Sequence, residues 1–285
     1  MLVEIPDERA GERLDAVLGD AMGSRSRAQR LIEAGRVLVD GEPRPKRHVL
    51  RGGERVEVDE EEAVAQPAPV GDAPFEIAYS DEDLLVVDKP AGVVVHPARG
   101  HAAGTLAQAI GGGLLVHRLD RDTSGLLLVA RTEQAHRALK AALQAREIER
   151  EYLALVEGRP SARTGTIDAP IGRDRRVRTR HSTRTDTPRT AVTHFAIERA
   201  LPEATLLRVR LETGRTHQIR VHLEAIGHPV CGDPEYGTRG RFGLRRQFLH
   251  AARLVFDQPR TGRQIEVTSP LPPDLRAALE AAAQG

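Results

Sequence analysis

The 285-residue chain contains one cysteine, two methionines, no tryptophan and only 3% aromatic residues. The single cysteine, Cys231, excludes an intrachain disulfide framework and a cysteine-rich metal site. No apolar run approaches the roughly 18 residues of a membrane span, and the amino terminus lacks a basic-then-apolar signal pattern. The spacing of the histidines fits no compact zinc ligand set. We therefore expect a soluble, cytoplasmic protein that holds no metal and does not contact a membrane.

The length suits two domains, because a single core usually stops growing near ~250–300 residues. The net charge is only +1, from 42 basic and 41 acidic residues, but arginine is concentrated in loops. Local basic surfaces of this kind suit contacts with phosphate. Proline, glycine and small residues without periodicity at 63–74 predict an extended linker. The predicted domains are therefore residues 1–62 and 75–285.

Residues 1–62 predict a small unit of two helices and short strands. Apolar residues recur at helical spacing within 9–22. Ser26 and Gln29 form a capping-box pattern for a second helix, which Gly35 ends. The turn pair at 40–41 then separates short strands.

The second helix of this unit is basic, with no acidic residue between positions 24 and 29. A solvated face is one interpretation, and a phosphate-binding face is the other. The pattern resembles the alpha-L RNA-binding fold of a ribosomal small-subunit protein. By that resemblance the RNA face would comprise Ser24, Arg25, Arg27 and Arg30.

An unbroken apolar run from Leu126 to Ala130 predicts a strand buried on both faces. The nonapeptide HRLDRDTSG precedes it and is expected at a sheet edge beside a cleft. Its Asp120 lies between Arg118 and Arg121 in the sequence, and neighbouring cations favour the ionised carboxylate. Such an aspartate acts as a nucleophile or base, or merely pairs with a neighbouring arginine.

A second polar motif, LETGRTHQIRVH, occupies residues 211–222. Thr216 is predicted to cap a helix on which His217 and Arg220, three residues apart, share one face. Arg220 would then have Asp120 as its anionic partner. Tyr152, one of only three tyrosines, enters the predicted strand 153–156, where a tyrosine usually packs.

Residues 173–190 contain seven arginines against two aspartates and almost no apolar residue. The segment is a disordered insertion or an arm that contacts RNA, and the two are compatible because basic disordered segments often fold on the nucleic acid. We favour the arm. Further predicted elements are strands at 84–88, 92–95, 190–198, 205–211 and 247–251, and helices at 105–110, after Thr132 and at 273–283.

HRLDRDTSG, REIEREYLALVEG and LETGRTHQIRVH together resemble the signature segments of the pseudouridine synthases that modify large-subunit ribosomal RNA. The resemblance implies an α+β protein with two parts. A small alpha-L domain precedes a synthase domain with a mixed, mainly antiparallel sheet flanked by helices and loops. It also implies isomerisation of uridine to pseudouridine in ribosomal RNA by a monomer that needs no cofactor.

The same resemblance implies roles for individual residues. Asp120 would be the catalytic carboxylate, Tyr152 would stack on the flipped base, and Arg220 would pair with Asp120. Arg118 would fill the gap left by the flipped base, and Arg215 and His217 would belong to the RNA-binding surface. Further pocket walls are expected from Ile219 and Leu254.

Three chemical routes from Asp120 stay open, namely attack on the sugar, attack on ring carbon 6 and assisted elimination to a glycal. Two other functions are weighed against isomerisation. A non-catalytic RNA-binding or ribosome-assembly protein would not need Asp120, and a base-excising glycosylase would release free uracil.

Overall fold

The structure, a computed structural model, describes residues 1–23, 25–59, 74–95, 105–111 and 113–284, and only the backbone of Ser26, Arg27 and Arg30. The chain forms two compact units, Met1–Ala65 and Gln66–Gly285. Each combines helices with a largely antiparallel sheet, so the predicted α+β class is confirmed. The expected linker at 63–74 lies almost entirely outside the described residues, and its placement stays a prediction.

The amino-terminal unit is built from β1 (Leu2–Glu4), α1 (Leu14–Ala21), α2 (Arg25–Glu33), β2 (Val37–Val39), β3 (Glu42–Pro43) and β4 (Arg55–Val58). Its strands pair antiparallel in the order β1, β4, β2, β3. Leu14 and Leu18 of α1 pack with Val37 and Val56 of the sheet. The residues at 40 and 41 have φ values of 50° and 79°, which confirms the predicted two-residue hairpin turn.

The first long helix, Leu14–Ala21, lies within the 9–22 range whose apolar spacing predicted a helix. The capping box predicted for the second helix is wrong. Ser26 lies inside α2 and so cannot be its cap. The Nε2 of Gln29 donates to the buried carboxylate of Asp15 at 2.7 Å.

The second unit begins with β5 (Glu76–Ser80), β6 (Leu84–Lys89), α3 (Leu106–Ala109), β7 (Leu114–Leu115), β8 (Ser124–Ala130), α4 (Glu133–Gln144), β9 (Glu149–Glu157) and β10 (Thr164–Asp168). It continues with β11 (Gly172–Arg173), β12 (His181–Ser182), β13 (Val192–Ala200), β14 (Ala204–Leu211), α5 (Gln218–Ala225), β15 (Leu249–Asp257), β16 (Gln264–Thr268) and α6 (Pro273–Gln284).

One large sheet organises this unit. Its order is β10, β13, β14, β9, β15, β8, β6, β5, with β16 on β15 and β7 on β8. Among the described strands only the pair β15 and β8 is parallel, so the sheet is mixed and mainly antiparallel, as predicted.

Strand β8 is buried along its whole length and confirms the strand predicted from the apolar run. Leu127 and Val129 pack into one core cluster, whereas Leu126 and Leu128 pack into another on the opposite face. Because successive side chains of a strand point to opposite faces, a strand between two cores is apolar at every position.

The predicted helix after Thr132 is α4, and the Thr132 hydroxyl accepts a hydrogen bond from the amide of Ala135 at 3.1 Å. The strand predicted at 92–95 is not formed among the described residues. The carbonyls of Val94 and Val95 accept instead from the first amides of α3, at 2.9 and 3.1 Å. Because these carbonyls bind the free amides at the start of α3, they are not available for hydrogen bonds to a neighbouring strand.

Residues 173–190, here called the arm, are described throughout, and with Gly172 they form a small two-stranded unit. Strands β11 and β12 pair antiparallel, and a further bridge joins Asp174 to Thr185. Asp174 closes the turn between them by accepting from the amides of Arg176 and Val177, both at 2.8 Å. Hydrogen bonds to this carboxylate, led by the Val177 amide, lower the pKa of Asp174 to about 2.

Candidate active site

Residues 117–123 of the nonapeptide form a loop between β7 and β8, and its last two residues, Ser124 and Gly125, begin β8. Within this loop the amide of Thr123 donates to the carbonyl of Asp120 at 3.2 Å. Gly125 has a φ of 107°, and a Cβ there would lie 2.2 Å from the carbonyl oxygen of Ala251. A glycine is therefore required where β8 meets β15.

The buried side chain of Lys89 ties this loop to the end of β6. Its ammonium donates to the carbonyls of Pro90, Val93 and Arg121 at 2.9, 3.1 and 2.8 Å. Burial lowers the pKa of Lys89 to about 7, opposed by the nearby carboxylates of the loop. Since three carbonyls accept three protons, the contacts favour the charged amine. Lys89 thus fixes the residue that follows Asp120.

The ion pair predicted between Arg220 and Asp120 is present. Nη1 of Arg220 lies 3.3 Å from Oδ2 of Asp120. Arg121 does not contact Asp120, because its guanidinium makes two 3.0 Å hydrogen bonds with Asp122. Asp120 therefore receives its cationic partner from helix α5 and not from its neighbour in the sequence.

Asp233, which family resemblance placed in a turn cluster that shapes the pocket but gave no individual role, holds Arg220 in this position. Its carboxylate accepts from Nε and Nη2 of Arg220 at 2.6 and 2.9 Å. Burial alone would raise the pKa of Asp233, but the Arg220 hydrogen bonds outweigh it and the pKa is lowered. Two of the three guanidinium nitrogens are thus occupied, and Nη1 is left for Asp120.

Helix α5 begins at Gln218, and the residue before it, His217, is left-handed with a φ of 57°. The prediction that Thr216 caps this helix is therefore wrong. Nδ1 of His217 lies 3.0 Å from the Tyr236 hydroxyl, which donates to the carbonyl of His181 at 3.1 Å. The arm residue His181 thus contacts Tyr236. The ring of Tyr236 in turn packs against Arg220, whose guanidinium lies 4.9 Å from the ring centre.

A cleft of about 540 Å³ opens beside Asp120. Its lining includes two acidic side chains, from Asp120 and Glu212. Its basic lining residues are Arg118, Lys140, Arg146, Arg150, Arg215 and Arg220. Six cations against two carboxylates give the cleft a positive field that suits a polyanion.

The other predicted residues of this unit lie as follows. Tyr152 lines the cleft at 4% exposure, and burial raises the pKa of its hydroxyl, so the phenol is neutral. Arg118 is exposed at the cleft, and Arg215 donates from Nε to the carbonyl of Thr190 at 3.0 Å.

One of the two expected pocket walls is correct. Ile219 lines the cleft, but Leu254 does not, because it packs in the core on the opposite face of the sheet. Leu249, at the start of the same strand, lines the cleft instead. The apolar residues of β15 do not reveal in the sequence which of them face the cleft, because both faces of this strand are apolar.

In the amino-terminal unit, Arg25 has a structural contact that the sequence did not reveal. Its guanidinium lies 3.2–3.3 Å from the carboxylate of Asp15, which is fully buried. Ser24 and the side chains of Arg27 and Arg30 lie outside the described residues. Their role toward RNA stays a prediction.

Two further observations concern membrane spans and metal sites. Across the described residues no helix is long and apolar enough to cross a membrane. The same residues contain no group of three or more histidine, cysteine or carboxylate side chains placed to hold a metal.

Comparison with protein families defines the class. Residues 83–225 match the RNA pseudouridylate synthase family, and residues 12–56 match the S4 domain. The chain belongs to the RNA pseudouridylate synthase family and is an RNA pseudouridine synthase with an amino-terminal S4 domain.

Individual relatives agree over nearly the whole chain. It is 48% identical to an uncharacterized RNA pseudouridine synthase of Chloroflexus aurantiacus, covering 98% of this chain and 92% of the relative. It is 42% identical to the ribosomal large subunit pseudouridine synthase D of Xanthomonas campestris pv. campestris, covering 97% and 91%. Among solved structures, human RNA pseudouridylate synthase domain containing 1 matches with a TM-score of 0.61 and 31% identity, covering 72% and 88%.

Proposed function

We propose that this enzyme isomerises specific uridines of large-subunit ribosomal RNA, with Asp120 as the catalytic carboxylate and no cofactor. The observation that carries the proposal is the Asp120 carboxylate in a cationic cleft, 3.3 Å from a buried guanidinium. The names of relatives such as the ribosomal large subunit pseudouridine synthase D of Xanthomonas campestris support ribosomal RNA as the substrate.

The chemistry exchanges one bond for another. The bond from the sugar carbon 1′ to nitrogen 1 of uracil breaks, and the base turns. A bond from carbon 1′ to carbon 5 then forms, carbon 5 loses its proton, and nitrogen 1 gains one. Bond breaking builds positive charge on the sugar and negative charge on the base, so an ionised Asp120 beside the sugar stabilises the transition state. Arg220 keeps this carboxylate in place.

A uridine stacked in RNA must leave the stack to reach the cleft, at a cost of a few kcal/mol. Arg118 is the residue we assign to the vacated position, because its side chain is exposed at the mouth of the cleft. Tyr152 is the residue we assign to stacking on the flipped base, since its ring is buried but lines the cleft.

RNA around the target uridine would contact basic surfaces of both units. In the second unit these are the arm and, in the lining of the cleft, Arg215 and His217. The arm has exposed arginines, and no carboxylate of a described residue lies within 4 Å of the guanidinium of Arg176, Arg178, Arg184 or Arg189. Unpaired exposed guanidiniums are available to phosphate. The S4 domain supplies Ser24, Arg25, Arg27 and Arg30 in this proposal.

Asp120→Asn tests the assignment, because the amide keeps the shape but loses the charge that the transition state needs. We expect pseudouridine formation in unmodified large-subunit RNA, followed with a pseudouridine-specific label, to fall to below about one hundredth of wild type. Asp122→Asn is the matched control, since Asp122 pairs with Arg121 and makes no side-chain contact with Asp120. Turnover of the Asp120 variant within tenfold of wild type contradicts the assignment.

The same assay separates the other two functions. Release of free uracil without pseudouridine indicates a glycosylase. RNA binding by wild type with neither product indicates a non-catalytic RNA-binding protein.

A further inference from the structure

Arg150, on β9 two residues before Tyr152, is a buried cation without a counter-ion. It is 5% exposed and lines the cleft. Of its five N–H donors one makes a hydrogen bond to a described residue, a 3.3 Å contact from Nη2 to the carbonyl of Leu211. Its Nε is buried with no partner among the described residues. Burial accordingly lowers the pKa of Arg150.

Neither carboxylate of the cleft compensates this charge. Asp120 pairs with Arg220. Glu212 pairs with Arg146 and with His194, whose Nε2 lies 2.6 Å from its Oε1. No other acidic side chain lines the cleft in the described part of the chain, so the Arg150 charge has no partner there.

A second donor in the same cleft also lacks an acceptor. Nε2 of His117 accepts from the amide of Leu128 at 3.1 Å, which places the ring proton on Nδ1. That Nδ1 is buried and, beyond a weak interaction with the backbone of Arg118, has no hydrogen-bond partner among the described residues. Burial first, and then the Arg150 charge, lower the pKa of His117 to about 3, so the ring is neutral and close to Arg150.

A buried charge without a partner destabilises a folded protein, and buried polar groups are rarely left unpaired without a functional reason. Two donors that line one cleft and lack acceptors therefore indicate a missing acceptor. Gly214 supports this interpretation, because a Cβ there would lie 3.0 Å from Nη1 of Arg150. The cleft wall therefore carries no side chain at the position next to the Arg150 guanidinium.

We propose that Arg150, assisted by His117, is the anion-binding site of the cleft and takes an anionic oxygen of the bound nucleotide. This oxygen belongs either to an RNA phosphate or to the uracil as it leaves the sugar. The proposal rests on the proposed function for the identity of the nucleotide, and it assigns to Arg150 a contact with substrate that Asp120 and Arg220 cannot provide.

The test uses the full-length enzyme with Arg150→Gln, which removes the charge, and Arg150→Lys, which keeps it. Arg208→Gln is the matched control, because Arg208 lies on the neighbouring strand β14, pairs with Glu151 and Glu198, and is absent from the cleft lining. Three quantities are measured: the unfolding temperature without RNA, the affinity for unmodified large-subunit RNA in an Asp120→Asn background, and the single-turnover rate at saturating RNA.

We expect Arg150→Gln to unfold at the same temperature as wild type or higher, because it removes an uncompensated charge. We also expect an about 10- to 100-fold loss in affinity or in rate, as for a hydrogen bond to a charged group, with Arg150→Lys recovering part of it. A phosphate occupant lowers affinity, and uridine 5′-monophosphate but not uridine then raises the unfolding temperature of wild type. A uracil occupant lowers the rate at unchanged affinity.

A lower unfolding temperature for Arg150→Gln overturns the proposal, because it assigns the residue a structural role. Affinity and rate both within threefold of wild type overturn it as well, as does an Arg150→Lys variant as defective as Arg150→Gln. If wild type forms no pseudouridine, the proposed function has failed. The unfolding temperatures and RNA affinities of the Arg150 variants still decide the anion site in that case.

Discussion

Asp233→Asn tests whether Asp233 holds Arg220 in position for its ion pair with Asp120. Asp233 is fully buried and Arg220 is 5% exposed, so the variant removes the counter-charge of a buried guanidinium and leaves an acceptor for only one of its two shortest hydrogen bonds. Removing one partner of a buried pair usually costs ~3–5 kcal/mol. We expect about 2–3 kcal/mol, because Asp120 and Glu235 still lie within 3.5 Å of Arg220. That loss corresponds to an unfolding temperature roughly 5–10 °C lower.

The effect on catalysis follows from the same geometry. Without Asp233, Nε and Nη2 of Arg220 are free to turn toward Asp120 and alter the position of its carboxylate. We expect the single-turnover rate to fall about 10- to 100-fold, equivalent to about 1.4–2.8 kcal/mol, at nearly unchanged RNA affinity. Glu235→Gln is the control, since Glu235 lies 3.5 Å from Arg220 and its side chain is 32% exposed. Such contacts contribute about 0–1 kcal/mol.

The pH dependence gives an independent check. The pKa of Asp233 is lowered in the folded enzyme, because the Arg220 hydrogen bonds outweigh burial. Its contribution to stability is therefore complete above its unfolded pKa, near about 3.9. It is lost as the pH falls through the lower, folded pKa. The difference in unfolding temperature between wild type and Asp233→Asn should stay constant from pH 7 to about 4 and shrink below that. Wild-type rate and stability in Asp233→Asn, or equal losses in Glu235→Gln, would refute the reasoning.

Two further predictions concern RNA. Arg118→Ala should slow modification of structured RNA more than that of a single-stranded oligonucleotide, because a gap needs filling only where a stack exists; equal losses on both would contradict base flipping by Arg118. Arg27→Ala with Arg30→Ala should reduce the slope of log affinity against log salt by roughly 0.7–0.9 per lost phosphate contact. Arg25 is left intact in that variant because it pairs with buried Asp15. Coincident slopes would show that this surface does not bind RNA.

The sequence predicted the elements whose local signals agree with their tertiary surroundings. The apolar run at 126–130 became a doubly buried strand, and Thr132 capped the next helix. Thr216 carried the same kind of capping signal, but His217 adopts a left-handed conformation that moves the helix start to Gln218. A short polar side chain indicates a cap only where the backbone before the helix stays extended.

The ion-pair partners of charged residues were less predictable from the sequence than the helices and strands on which those residues lie. The pair of Arg220 with Asp120 was found through family resemblance, whereas Asp233 in the turn after α5 gave no periodic or spacing signal. In the sequence Arg150 stands between two acidic residues, Glu149 and Glu151. Its lack of a carboxylate is a property of the folded cleft, and no local pattern of residues encodes it.

These contacts bear on how the enzyme uses the binding energy of RNA. The groups that orient the cationic partner of Asp120 are protein groups: the Asp233 carboxylate, the ring of Tyr236, and the arm residue His181 that binds the Tyr236 hydroxyl. The free-energy cost of positioning this charge is therefore met when the protein folds and not when RNA binds, as expected of a preorganised site. In the proposed mechanism, energy from phosphate contacts then stays available for extruding the uridine, which needs a few kcal/mol. We accordingly expect changes at Asp233 to act on the rate, and changes at the basic surfaces to act on affinity.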